Sequence, residues 1–298
     1  MPDNTKMMVP DLFFSPFIFL LGLAIGSFLN AVIHRLQTEE KLFPGRSHCP
    51  HCRHKLAAKD LIPLISYLLL KGRCRYCKKP ISLQYPLVEL ATGLLFVAVL
   101  QYTAPLFIFN PAVIFQSPLV FFVGTGTFLY YLLLISFLTV IFVYDLKHHI
   151  IPDKIIYPAI VLAALFRLFQ SATIKWHQDF DLWDMGSGAA HFLTNPFFAG
   201  LGAALFFYAI FAFSRGKWMG FGDVKLALLM GLVLGFPLVL VALFTAFLTG
   251  AAMGLGLVLL KQKNMKSEVP FGPFLVAGTF IALFWGQQII DWYWHLLW

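Results

Sequence analysis

Six residues in this chain have the types and spacing to do chemistry: two aspartates and four cysteines. Asp145, in VYDLKHHIIPD, closes an apolar run long enough to cross a membrane, and Asp223 closes the tetrapeptide GFGD at 220–223. A carboxylate at the edge of lipid is costly unless it is paired, hydrated or used. Two carboxyls in one site can share a proton, so that one activates water while the other donates to a carbonyl oxygen, which is how an aspartyl dyad hydrolyses a peptide bond. Gly220 and Gly222 carry no side chain, which lets another backbone approach Asp223 closely. Taken singly, either aspartate reads more readily as a helix cap or a solvated interface residue than as a catalyst, and the two together on one face reverse that preference. Placed at a helix start, Asp223 is the expected base, because the helix dipole favours an anion there and disfavours one at a helix end such as Asp145.

The cysteines form two pairs, Cys49 and Cys52 in CPHC and Cys74 and Cys77 in CRYC. Two such knuckles supply the corners of a tetrahedral, structural Zn2+ site. Disulfides or a thiol redox pair are the alternatives, and a reducing cytoplasmic location weighs against disulfides. A lobe of this size with few large apolar side chains also needs a staple. Four thiolates fill the shell, so His48, His51 and His54 read as surface residues and no open catalytic position is implied.

These residues must be positioned by a membrane protein. Of 298 residues, 59% are hydrophobic and only 12% charged; mean hydropathy is +0.79, too apolar for a soluble domain. Runs at about 12–34, 86–104, 119–144, 155–170, 196–214, 224–236, 237–260 and 272–297 predict an all-α polytopic fold of about eight transmembrane helices. The fourth and sixth runs are short. The first lacks the flanks of a cleavable signal and is expected to remain as a helix. The expected organisation is a first helix at 1–35, a cytoplasmic zinc lobe at 36–84, and a membrane-embedded peptidase domain at 85–298.

Basic residues set the expected orientation. All 22 Lys and Arg except Lys6, Arg167 and Lys175 fall in odd-to-even connections, while Asp179, Asp181 and Asp184 fall on the other side. Lobe, Asp145 and Asp223 are therefore expected at the cytoplasmic face, with both termini outward. The +8 net charge reports topology and contact with the lipid bilayer rather than nucleic acid.

Ser27, Asn30 and His34 share one face of the first span, and Glu89 begins the second; they could line a substrate groove or a methyl-donor pocket. Interhelical hydrogen bonding is the preferred reading for Ser27 and Asn30, function for Glu89. The pairs Gly22/Gly26, Gly231/Gly235 and Gly250/Gly254 have the spacing of close helix contacts. Pro270, Gly272 and Pro273, in EVPFGPF, make a rigid turn that either borders the site or starts the last helix.

Several stretches together, GLAIGSFLNAVIHR, the tetracysteine insert, YPLVELATGLLF, D-x6-P-D at Asp145, GFGDVKLALLMG and VPFGPFL, resemble the bacterial prepilin peptidases over nearly the whole chain. The resemblance implies catalytic roles for Asp145 and Asp223 and a motif acid at Asp153. It also implies cleavage of a short basic leader from type IV prepilins or pseudopilins, then N-methylation using S-adenosylmethionine, in a bacterial inner membrane. Gly72 and Arg73 beside the second knuckle are candidates for the methyl-donor site, and Lys225 for the substrate site. Other GxGD intramembrane proteases, a transporter binding ions through the two aspartates, and a non-catalytic pilus-assembly factor are the competing readings.

Overall fold

The computed structural model describes residues 9–38, 47–103, 118–176, 195–259 and 270–297. Lys6, Lys41, Arg46, Asp179, Asp181, Asp184, Lys261, Lys263, Lys266, Glu268 and Val269 lie outside them. Among the described residues the elements are helical: α1 (Val9–Gln37), α2 (Ile65–Leu69), α3 (Gln84–Thr103), α4 (Pro118–His148), α5 (Asp153–Trp176), α6 (Pro196–Ser214), α7 (Phe221–Leu234), α8 (Leu238–Leu259) and α9 (Gly272–Leu297). Seven are long and apolar enough to cross a membrane, all except α2 and α7. The chain is a multi-pass membrane protein. The eighth expected crossing, α7, has 14 residues and reaches about 21 Å, short of a hydrocarbon core of about 30 Å.

Packing divides the chain into two compact units, Met1–Val140 and Ile141–Trp298, with the division inside α4. In the first, α1 lies directly on α3. A Cβ on Gly22 would sit 2.7 Å from Gly93 Cα, and one on Gly26 would sit 2.7 Å from Glu89 Cα. Small residues earn their place here because in lipid the attraction between helices comes from close van der Waals packing rather than water exclusion. Polar side chains add to the seam: Asn30 Nδ2 donates to the Tyr85 carbonyl at 3.0 Å, and Gln84 Nε2 donates to Asn30 Oδ1 at 3.2 Å.

In the second unit α7 is the central helix, packed on α5, α6, α8 and α9. It is apolar on every side, as a fully enclosed helix must be: Leu226, Ala227, Leu229 and Met230 have no exposed surface. Gly231 meets the backbone of Gly200 on α6. Gly235, its expected partner in a helix seam, instead ends α7 with φ +70°. Nor do Gly250 and Gly254 form a seam: the first faces the Phe271 and Phe274 rings, and nothing lies within 4 Å of a Cβ on the second.

α7 ends on residues buried among its neighbours, Leu232, Val233 and Leu234, where the last carbonyls of a helix lack partners of their own. Arg167 of α5 supplies them. Its Nε donates to the Leu232 carbonyl at 2.8 Å, Nη2 donates to that of Val233, and Nη1 donates to Gln170 Oε1 at 2.8 Å. At the other end, Lys225 Nζ pairs with Asp153 at 2.6 Å and lies over the Tyr157 and Phe221 rings. Start meets start and interior meets end, so α5 and α7 run in the same direction.

Candidate functional site

Asp145 lies in the last turn of α4. The helix stops within a turn of this residue: His149 takes φ 57° while its N–H donates to the Asp145 carbonyl at 2.8 Å, a left-handed helix end. Pro152 then cannot continue the ladder, and Asp153 opens α5. Asp223 occupies the first turn of α7, behind the N-cap Gly220. Its carboxyl receives the Gly220 N–H, half of a capping box.

The two carboxyls act on one another electrostatically. Asp145 is buried, with the Gly272 N–H directed at its carboxyl and the His149 ring close enough to act on its charge. Gly272 opens α9. A Cβ there would strike Asp145 Oδ2 and sit 3.1 Å from its Cγ. Ile151 completes the wall: it lies 3.0 Å from a Cβ placed on Gly222 and 3.5 Å from one on Gly272. At Gly222, then, the close neighbour is the chain's own Ile151. Gly220 is exposed and has only Asp223 and Gly222 atoms near its missing Cβ, leaving the half-buried Asp223 approachable from that side.

The turn from 149 to 152, α7 and α9 thus bring Asp145, Asp223 and the Gly272 amide to one place. Gly272 and Ile151 were not singled out as site residues in the sequence, although the Pro270–Pro273 turn was a signal for the first. Asp153 and Lys225 lock α5 to α7 one turn from Asp223, with Asp153 exposed and Lys225 mostly covered.

Asn30 and Glu89 belong to the first unit and already have partners there. Glu89 Oε2 accepts the Leu64 N–H at 2.8 Å, and Ser27 also bonds to this carboxyl. Glu89 therefore ties the lobe to the membrane helices. Gly72 takes φ +67°, donates to the Tyr67 carbonyl at 2.9 Å and accepts from Ile81 at 2.7 Å, which makes it a fixed turn between α2 and the second knuckle. Arg73 is exposed beside it, its backbone bridged to Pro80.

The four Sγ atoms of Cys49, Cys52, Cys74 and Cys77 lie within 4.8 Å of one another and could hold a metal ion. Cys49 and Cys77 are 3.9 Å apart; four sulfurs at tetrahedral corners about 2.3 Å from zinc would be about 3.8 Å apart. The knuckles are built alike. Arg53 donates to the Cys49 carbonyl at 2.8 Å and Lys78 to that of Cys74 at 3.0 Å, with φ 56° and 60° at Arg53 and Lys78. Behind them Asp60 accepts from Arg75 Nε at 2.6 Å and Tyr76 Oη at 3.1 Å. Burial raises the Asp60 pKa, but these bonds and the Ala57 N–H outweigh it, so the carboxyl is held below its ordinary range.

A buried carboxylate pair in a bundle of membrane-spanning helices defines the class, and comparison with known proteins supplies the family. Residues 132–255 match the type IV leader peptidase family, and residues 20–103 match the bacterial peptidase A24 N-terminal domain. The chain belongs to the type IV leader peptidase family. It is 37% identical to a prepilin leader peptidase/N-methyltransferase of Aeromonas hydrophila, covering 96% of this chain and 95% of the relative. Proteins of the same name from Bacillus subtilis (strain 168) and Pseudomonas aeruginosa are each 31% identical, covering 93% and 91% of this chain and 96% and 90% of theirs. No solved structure matches the chain.

Proposed function

We propose that this protein is a membrane aspartic endopeptidase that removes the short basic leader from type IV prepilins or pseudopilins and then methylates the exposed amine. One observation carries the peptidase reading: Asp145 and Asp223, from separate helices, interact in one site bordered by Gly272. Family membership favours it over ion transport by the same pair.

In this reading the pair holds one proton. The ionised carboxylate takes a proton from water, and the resulting hydroxide attacks the scissile carbonyl carbon. The protonated partner donates to the carbonyl oxygen as it becomes tetrahedral. On collapse the ionised carboxylate takes back a hydroxyl proton as the carbonyl re-forms, while the other carboxyl protonates the amide nitrogen and the C–N bond breaks, which leaves the pair with one shared proton. A precursor anchored by its apolar helix carries its leader junction to the membrane face, where the helix ends bearing these aspartates lie. In this reading that face is the cytoplasmic side of a bacterial inner membrane, which the excess of basic residues in the connections on that side supports.

Cys49, Cys52, Cys74 and Cys77 would hold Zn2+, which closes the lobe and supplies no catalysis because four thiolates leave no open position. S-adenosylmethionine would supply the methyl group for the new amine, with Arg73 and its neighbour Gly72 the residues to test.

Purified protein in detergent, incubated with a precursor pilin with and without S-adenosylmethionine, gives a direct reading by product mass. Leader loss, with a further methyl mass only when the donor is present, is expected for the wild type. Asp145→Asn and Asp223→Asn should each leave the precursor intact. Cleavage near the wild-type rate in either variant overturns the assignment.

A further inference from the structure

The cysteine lobe carries apolar side chains that it does not bury. None of the residues of α2 is buried, and Ile65, Leu68 and Leu69 are 55%, 71% and 78% exposed. Spaced three and four apart, they share one helix face. Leu61 and Ile62 before α2, and Leu83 at the lobe's exit, are exposed as well. An apolar patch of this kind needs a covering surface.

Its anchorage identifies the cover. The N–H of Leu64, the residue that starts α2, is held by Glu89 in the second turn of α3, itself one of the candidate membrane spans. A hydrogen bond of 2.8 Å to a residue inside a span keeps this end of the lobe at the level where the span enters lipid. The outward stripe of α3 continues to the same place: Leu94, Leu90, Leu87 and then Leu83 follow one another at helical spacing, all exposed. Lys59, Lys71, Lys78 and Lys79 are exposed around the patch, as expected of a segment lying among anionic headgroups.

We infer that α2 and its flanking Leu61, Ile62 and Leu83 are an interfacial foot, seated in the bilayer leaflet on the lobe's side with the lysines at the headgroups. The lobe is then held to the membrane by lipid contact in addition to the α1 and α3 helices. The inference is independent of the peptidase reading.

The test places the photoreactive residue p-benzoylphenylalanine at Leu68 in the full chain, reconstituted in vesicles of phosphatidylethanolamine and phosphatidylglycerol. Leu94 serves as the lipid-facing reference and Lys55, exposed on a knuckle, as the aqueous one. After irradiation, intact mass should show addition of one phospholipid at 68 as at 94, and none at 55. A probe at Ile65, on the same face, gives an independent reading if the 68 variant does not fold. The foot is ruled out if 68 and 65 behave like 55, or if they cross-link to a second protein chain instead of lipid.

Discussion

Each knuckle of the cysteine lobe is closed by hydrogen bonds between residues a few positions apart, Arg53 to Cys49 and Lys78 to Cys74. The aspartate site has no such local frame: Asp145 ends one helix, Asp223 begins another, and the Gly272 amide comes from a third. The described part of the lobe is framed largely by such local bonds, and its four cysteines could hold a metal ion. The geometry of the carboxylate site is only as good as the seating of α7. One cluster is set by local turns, the other by packing.

The sharpest way to break this contrast is to remove the metal. One zinc per chain is expected by elemental analysis, and Cys74→Ser should abolish it, since structural sites bind with about 10–16 kcal/mol. Amide exchange should then rise across 47–83 and stay slow across 224–234. Uniform loss of protection would mean that the two regions do not fold separately.

Replacing either aspartate comes next. Asp145→Asn and Asp223→Asn should lower the cleavage rate about 10²–10⁴-fold, roughly 3–5 kcal/mol in the barrier, while exchange of α7 is unchanged. Gly272→Ala asks whether seating alone matters. Its methyl must displace the Asp145 carboxyl, and a shift of about 1 Å can cost about 100-fold in rate. Wild-type kinetics for Gly272→Ala would show that α9 is not part of the site.

Arg167→Met leaves the Leu232 and Val233 carbonyls without donors. A loss of roughly 1–3 kcal/mol in unfolding free energy is expected, with faster exchange at the end of α7 and no effect on metal content. The smallest effect belongs to Lys225→Met, which removes a partly exposed ion pair and ring contacts worth about 1 kcal/mol or less. Asp153→Asn should reproduce most of it, and a larger KM change in either variant would give this pair a part in holding substrate.

Much of this molecule was legible from residue order alone, for reasons of solvent and loop chemistry. Lipid demands long apolar helices, so composition and run length were enough to predict seven of the eight runs as spans, and failed at α7 because a short apolar run is equally a helix buried in protein. The spacing within each cysteine pair is a property of one turn of chain, so two matching pairs were enough to predict the cluster of four sulfurs. The spacing of Gly22 and Gly26 likewise marked the α1–α3 seam. Spacing failed at Gly235, Gly250 and Gly254, because a pair of glycines does not say which neighbour, if any, lies opposite.

What tertiary structure alone decided is how distant groups meet at a given depth. A count of charges placed Arg167 toward the outer side without naming a partner; the structure shows it capping the buried end of α7 through the Leu232 and Val233 carbonyls. Glu89 holds the Leu64 amide. Asp145 and Asp223 each satisfied the rules for a helix end wherever their helices stood; only the packing of α7 against α5 and α9, with glycine at 222 and 272 and Ile151 between them, brings the two acids within electrostatic reach.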